Sequence, residues 1–219
     1  MKTILVTGAS RGIGLELCRQ LAARGDRVIA ACRTASKELR SLPVQVVENV
    51  DVASAESAAQ LARTLNGTKI DILVNNAGIL TSESLEDLDF DRMRRQYEVN
   101  ALGPLRITRA LLDNLVQGSK VIVLSSRVGS MADNSSGGIY GYRMSKAAVN
   151  MAAVNLALDL RPRGIPVMIL HPGMVATEMT GRTGIAAADS AAGLIARMDE
   201  LTMEQTGSFW HAEGYSLPW

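Results

Sequence analysis

The amino-acid sequence predicts an α/β fold: one doubly wound domain spanning residues 1–219, with about seven parallel strands and helices on both faces of the sheet. Two observations carry this reading. Short β-branched runs alternate with longer Ala- and Leu-rich segments of helical period, and the first run exits into a glycine-rich turn that opens a helix. Strand, helix and strand repeated in this way implies parallel strands between covering helices, and right-handed crossovers leave few other topologies.

The first unit is ILVT (4–7), LELCRQLAAR (15–24) and RVIAAC (27–32). Further strands are predicted at 44–50, 70–76, 120–126 and 166–172, each nearly continuous in apolar character, as a strand covered on both faces should be. A shorter last strand near the sheet edge is predicted within 207–215. The intervening helices are predicted at 54–65, 91–98, 103–116, 143–161 and 188–201. The opening MKTILV reads as a strand and not as a secretory leader, because its apolar run stops at Thr7 and Gly8. No run approaches the roughly 18 apolar residues of a membrane span.

Composition narrows the partners. Lys and Arg total 23 against 22 for Asp and Glu, so a net charge of +1 exerts no long-range pull on nucleic acid or an anionic membrane. The expected partner is a small molecule or another protein. Cys18 and Cys32 are too few for a disulfide framework in a chain of this size, which predicts a reducing, cytoplasmic setting. His171 and His211 are the only histidines, each without a second ligand beside it, so no metal site is predicted.

In doubly wound sheets, ligands bind beyond the carboxyl ends of the strands. The first such exit is TGASRGIG (7–14), where Gly8, Gly12 and Gly14 permit a tight turn. They also let bare N–H groups approach a pyrophosphate, and the helix N-terminus adds a partial positive charge. An ordinary turn could use the same glycines; the strand before and the helix after favour a dinucleotide cradle and a Rossmann-type domain. The second strand ends at Cys32 and Arg33 with no carboxylate to hold a ribose 2′-hydroxyl. A cation there suits the 2′-phosphate of NADP(H), although a solvated surface arginine is the plainer reading of the residue alone.

The spacing Thr-Gly-x-x-x-Gly-x-Gly resembles the fingerprint of the short-chain dehydrogenase/reductase family. The resemblance extends along the chain through NNAG (75–78), YEVNALGP (97–104), SSRVG (125–129), YGYRMSK (140–146) and HPGMVATEM (171–179). It implies that Gly8, Ser10, Arg11, Gly12, Ile13 and Gly14 hold the cofactor, with Arg11 joining Arg33 on the 2′-phosphate. Asp51 and Val52 match the family pair at the adenine, although Asp51 could instead cap the helix that begins near Ser54. Asn76, Ala77 and Gly78 match the motif that lines the cofactor, with part of NNAG serving structure. Pro172, Gly173, Val175 and Thr177 match the segment that presents the nicotinamide.

Tyr142 and Lys146 stand i, i+4, which on a helix brings their Cβ atoms about 5–6 Å apart on one face. A nearby ammonium favours the phenolate, so the pair is expected to exchange a proton with a carbonyl or alcohol oxygen. Such pairs also arise by chance on surfaces; the matched motifs upstream give this one its weight. Tyr140, six positions from Lys146, faces away from it and is expected to line the pocket. The resemblance adds Ser126, polarising the carbonyl, and Asn100, whose backbone carbonyl supports a relay water. Ser125 alternates to the other face of its strand.

Two departures from the common pattern matter. MADNSSGG (131–138) lengthens the interval between Ser126 and Tyr142, as in the branch of sniffer-type carbonyl reductases and C-factor-like signalling proteins, which the closing YSLPW also resembles. The lid, about residues 177–188, is short and rich in Gly and Ala. An open, permissive pocket is therefore expected, with Val128, Met131, Tyr140 and Met174 as apolar contributors. The reading is an NADPH-dependent carbonyl reductase acting on ketones or aldehydes, assembled as a homodimer or homotetramer. Its rivals are a dinucleotide-binding signalling protein of C-factor type and an NAD-linked alcohol dehydrogenase.

Overall fold

A computed structural model describes all residues from Met1 to Trp219. Seven strands form one sheet: β1 (Thr3–Thr7), β2 (Arg27–Ala31), β3 (Gln45–Val47), β4 (Ile72–Asn75), β5 (Lys120–Leu124), β6 (Val167–His171) and β7 (Ser208–His211). Their spatial order is β3-β2-β1-β4-β5-β6-β7, and every pairing is parallel. The sequence order reverses between β1 and β4, which opens the crevice in which such sheets take ligands.

Alternation along each strand feeds two cores. Leu5, Leu73, Val121, Val123 and Ile169 point to one face, where they meet α3 (Ala55–Thr64), α5 (Gly103–Ala110) and α6 (Tyr140–Leu160). Ile4, Val6, Ile72, Val74, Ile122 and Leu170 point to the other, against α1 (Gly12–Ala23) and α7 (Ala187–Glu200). On α1 the buried Gly14, Leu17, Cys18 and Leu21 follow the helical period, and α1 packs on α7. Truncating a fully buried residue such as Leu73 to Ala should cost about 2–5 kcal/mol.

The predicted elements are all present, with shifted ends. The strand expected over 44–50 is paired only at Gln45–Val47, and a one-turn α2 (Lys37–Arg40) fills the preceding connection. The helices expected at 91–98 and 103–116 are one continuous shaft: α4 (Phe90–Tyr97), a π-helical turn over Glu98–Leu102, then α5. α5 ends early, because Leu111 leaves helical geometry and the chain turns toward β5. α6 begins at Tyr140, three residues before the expected start. No helix is long and apolar enough to cross a membrane.

Candidate active site

The candidate residues come from the carboxyl ends of six neighbouring strands. The glycine turn follows β1, Arg33 follows β2, Asp51 and Val52 follow β3, Asn75–Gly78 close β4, Ser126 follows β5, and Pro172–Thr177 follow β6. Topology thus gathers at one sheet edge residues spread over more than half of the chain.

The turn after β1 needs its glycines. Gly8 and Gly12 adopt φ of +66° and +55°, and a Cβ on Gly14 would lie 2.4 Å from the Gly8 carbonyl oxygen. Asn76 fixes the turn from the side: its amide donates to the Thr7 and Gly8 carbonyls at 2.8 and 3.2 Å. The Thr7 hydroxyl accepts from the Asn76 and Ala77 N–H groups, each at 3.1 Å. Asn75 turns inward to donate to Thr108 Oγ1. No side chain caps the first turn of α1, so its N–H groups stay open to an anion. Ser10 and Ile13 are half-buried beside them.

The two cations expected near a 2′-phosphate differ. Arg33 is exposed; the nearby Asp51 carboxyl is held below its usual value against its partial burial, by the Ala53 N–H first, then Arg95, and least by the Arg33 charge. Arg11 pairs with Glu178 at 2.8 Å, across from the glycine turn to the start of the lid. Asp51 does not cap α3, which takes Ser54 for that purpose; it accepts from Ala53 N–H and pairs with Arg95 of α4. Val52 is buried beneath it. These features fit a dinucleotide: an uncapped helix start behind a turn that needs its glycines, with Arg11 in that turn and Arg33 at the second strand's exit.

Tyr142 and Lys146 share a face of α6, with Lys146 Nζ 5.6 Å from the Tyr142 ring centroid. Lys146 is buried and donates to the Leu124 carbonyl at 2.9 Å. A Cβ on Gly78 would lie 3.9 Å from its Nζ and 3.3 Å from Asn100 Oδ1, so the lysine reaches the end of NNAG. Burial brings the ammonium down to about 8. Burial also pushes the Tyr142 phenol up to about 12, with the Ser126 hydroxyl pulling in the opposite direction. The phenolate that Lys146 was expected to favour is therefore disfavoured in the free protein, because desolvation of the phenol outweighs a cation committed to a backbone carbonyl.

Ser126, 9% exposed, starts a 3-10 turn over Arg127–Gly129 that presses on α6. A Cβ on Gly129 would stand 2.7 Å from the Lys146 backbone carbon, so glycine permits the contact. Ser125 points away and donates to Asn150 Oδ1 at 2.5 Å, as strand alternation predicts. Asn100 lies at the centre of the π-helical turn. Its side chain grips the segment after NNAG in both directions, accepting from Ile79 N–H and donating to the Ile79 carbonyl, each at 2.8 Å. It also donates to Ser145 Oγ at 3.0 Å.

The rim is open. Met131, Met174 and Tyr140 are 81%, 65% and 36% exposed, and Val128 is half-buried. Tyr140 is the first residue of α6, and Gly173 packs beneath the rim near His211. The short lid is pinned at its base, where Ala176 N–H donates to the Ile185 carbonyl and Ile185 N–H to the Met174 carbonyl. Pro172 is anchored through its carbonyl by Ser190, and Val175 is buried. Thr177 places its methyl 3.3 Å from where a Gly12 Cβ would lie, bringing the lid against the glycine turn. His171 and His211 stack edge to face at 5.0 Å beside this rim, and burial drives the His171 imidazole down to about 3.

Glu83, Gln96 and Glu178 also touch this region and were not legible beforehand. Each sits in a polar, charge-rich stretch where nothing marks it from its neighbours.

Comparison with known proteins agrees with this geometry. The family model described as short chain dehydrogenase matches residues 2–187. The 1-hydroxy-2-glutathionyl-2-methyl-3-butene dehydrogenase of Rhodococcus sp. (strain AD45) is 45% identical, with both chains covered completely. C-signal of Myxococcus xanthus is 45% identical over 154 residues, 68% of this chain and 93% of that one. The NADPH-bound carbonyl reductase from chicken fatty liver superposes with a TM-score of 0.89 at 28% identity, covering 100% of this chain and 99% of that one. Fold, strand-end motifs and relatives converge, and the chain belongs to the short-chain dehydrogenase family of oxidoreductases.

Proposed function

We propose that the protein is an NADPH-dependent carbonyl reductase that converts ketones or aldehydes to alcohols, with Tyr142, Lys146, Ser126 and Asn100 as its working residues. The observation that carries this reading is the placing of Tyr142, Lys146 and Ser126 on two elements pressed together at Gly129. The NADPH-bound state of a structural relative supports the cofactor.

Bound NADPH would supply the hydride. The chain's own residues do the rest. The uncapped start of α1 and the glycine turn take the pyrophosphate, and Arg33, with Arg11 once it leaves Glu178, takes the 2′-phosphate. The Ser126 hydroxyl donates to the substrate carbonyl oxygen and orients it. Tyr142, whose free-protein value near 12 keeps it protonated at neutral pH, gives its proton to that oxygen. Lys146 holds a positive charge below the tyrosine and stabilises the phenolate left behind. Its link to the Leu124 carbonyl fixes the Nζ position in advance.

The open rim supports a broad set of apolar carbonyl substrates. The test is NADPH oxidation with a panel of activated ketones and aldehydes. Turnover is expected with several, and Tyr142→Phe should abolish it while leaving NADPH binding intact. Confinement to one substrate would remove the permissive pocket; full activity in Tyr142→Phe would remove the proposed acid.

The dehydrogenase among the relatives favours a second reading, the oxidation of an alcohol with the same residues run in reverse. Comparing rates in both directions, with both nucleotides, decides between them. For the assembled state, the outer face of α6 exposes Met144, Met151 and Leu158 at seven-residue spacing, and a second copy of this chain is the proposed cover.

A further inference from the structure

Glu83 is 3% exposed, whereas Glu86 and Asp87 of the same loop lie in solvent and Asp89 caps α4. Three donors converge on its carboxylate. Gln96 Nε2 approaches its two oxygens at 3.2 and 3.3 Å, the Thr81 hydroxyl donates to Oε1, and the Gly141 N–H donates to Oε2 at 3.3 Å. The Thr81 N–H donates to Gln96 Oε1 at 3.1 Å, which fixes the amide with its NH₂ toward Glu83. The group is closed, buried and formed across three separate parts of the chain.

Gly141 is the second residue of α6, and Tyr142 is the third. The helix start has no local cap: Ile139 stands there in left-handed geometry, φ 40°, and offers no side-chain acceptor. Glu83 supplies from another loop the acceptor that a neighbouring Ser or Asp supplies in an ordinary helix. Its negative charge also suits a helix N-terminus. Gly141 lets the parts meet, since a Cβ there would lie 2.3 Å from Gln96 Nε2.

This bridge runs parallel to the one through Asn100. Gln96 and Asn100 are four residues apart on the α4 shaft; they hold Thr81 and Ile79, two residues apart on the loop. Toward α6 they reach Gly141, through Glu83, and Ser145, four residues further on. Tyr142 lies between the two α6 attachment points.

We propose that Glu83 is a positioning residue for the Tyr142 phenol: it fastens the first turn of α6 to the loop after NNAG, and so sets the phenol's place relative to bound nicotinamide and substrate. The inference rests on the proposed role of Tyr142. The motion it prevents is small, yet a misplacement of about 1 Å in a reacting group can cost about a hundredfold in rate. Gln96 Nε2 and the Gly141 N–H can only donate and the Thr81 hydroxyl alone can turn to accept, so Glu83→Gln keeps one acceptor oxygen and sets its amide against Gln96, while Glu83→Ala removes the acceptor altogether.

The experiment compares wild type, Glu83→Gln and Glu83→Ala by two independent readouts. Hydrogen exchange, measured by mass spectrometry on peptides covering 139–146, should quicken at least about tenfold in Glu83→Ala and less in Glu83→Gln, with peptides from 150–160 unchanged. In NADPH-dependent ketone reduction, kcat should fall about 10- to 100-fold in Glu83→Ala and less in Glu83→Gln, with the NADPH Kd and ketone KM within about twofold of wild type. Unchanged exchange at 139–146 with wild-type kcat would overturn the proposal, and so would a loss shared equally by kcat, NADPH binding and exchange throughout α6. If wild type turns over no ketone, the reductase reading fails, and the exchange data alone decide whether Glu83 holds the turn.

Discussion

Arg11 in the glycine turn and Glu178 at the start of the lid form an ion pair of 2.8 Å, so the cation expected on a 2′-phosphate is already engaged by a carboxylate of the same chain. Both side chains are largely exposed, 70% and 62%, and such a pair is weak. On the proposed reading, NADPH displaces Glu178 before Arg11 serves it. Glu178→Gln should tighten NADPH binding by up to about fivefold, the worth of an exposed ion pair, and leave NADH unchanged. Nucleotide fluorescence titration measures both. Equal tightening for the two nucleotides would show that Arg11 does not meet the extra phosphate.

Arg33 stands free of any such partner. A charge-assisted contact to phosphate contributes about 1.5–3 kcal/mol, so Arg33→Ala should weaken NADPH about 10- to 100-fold and barely change NADH. An unaltered NADPH preference would remove the assignment of this arginine to the 2′-phosphate.

Lys146 gives a pH signature of stability. Burial lowers its folded value to about 8 from the ordinary 10.5, so between these values the unfolded chain holds a proton that the folded chain has lost. Stability from this group therefore rises with pH across that window, and below about 8 the folded state bears the full cost of the buried charge, on the order of 3 kcal/mol. Relative to Lys146→Met, wild type should gain stability as pH rises from 8 to 10.5. Urea denaturation of both proteins at each pH checks this; a constant difference would mean that the ammonium is solvated.

Gly129 lets the Ser126 turn lie against α6 at Lys146. Gly129→Ala should cost about 1–3 kcal/mol by overpacking and lower kcat more than it raises KM, because Ser126 is pushed from Tyr142. Thermal melts and steady-state kinetics separate the two effects.

The exposed α6 face makes a prediction about assembly. Met151→Glu places a charge at the centre of the Met144, Met151 and Leu158 stripe, and should shift sedimentation from a homo-oligomer to a monomer. A wild-type chain that is already monomeric at micromolar concentration would end this proposal.

The sequence carried the fold unusually far, and the reason is physical. Parallel strands covered on both faces read as continuous apolar runs such as KVIVL, and the glycines after β1 are required by backbone conformation and by the close approach of the Gly8 carbonyl. Helical spacing put Tyr142 and Lys146 on one face, and the glycine turn and NNAG upstream gave that pair its weight; Asn100 needed the family resemblance outright, because a π-helical turn leaves no periodicity of its own. The start of α6 was misplaced because its cap lies 58 residues upstream at Glu83, beyond any local signal. The direction of the Tyr142 shift was missed for a related reason. Spacing reports the neighbouring charge, whereas burial of the phenol depends on the whole surrounding packing.

The π-helical turn at Glu98–Leu102 has a consequence for how the protein can vary. It introduces one additional residue into a shaft that otherwise turns every 3.6 residues, and so resets the angular phase between α4 and α5. The stretch that grips α6 and the stretch that packs under the sheet are thereby separate in rotation, as two gears on one axle joined by a slipped tooth. Deleting one residue from the turn would rotate α5 by about 100° and expose its buried stripe, although no side chain at the site had been altered.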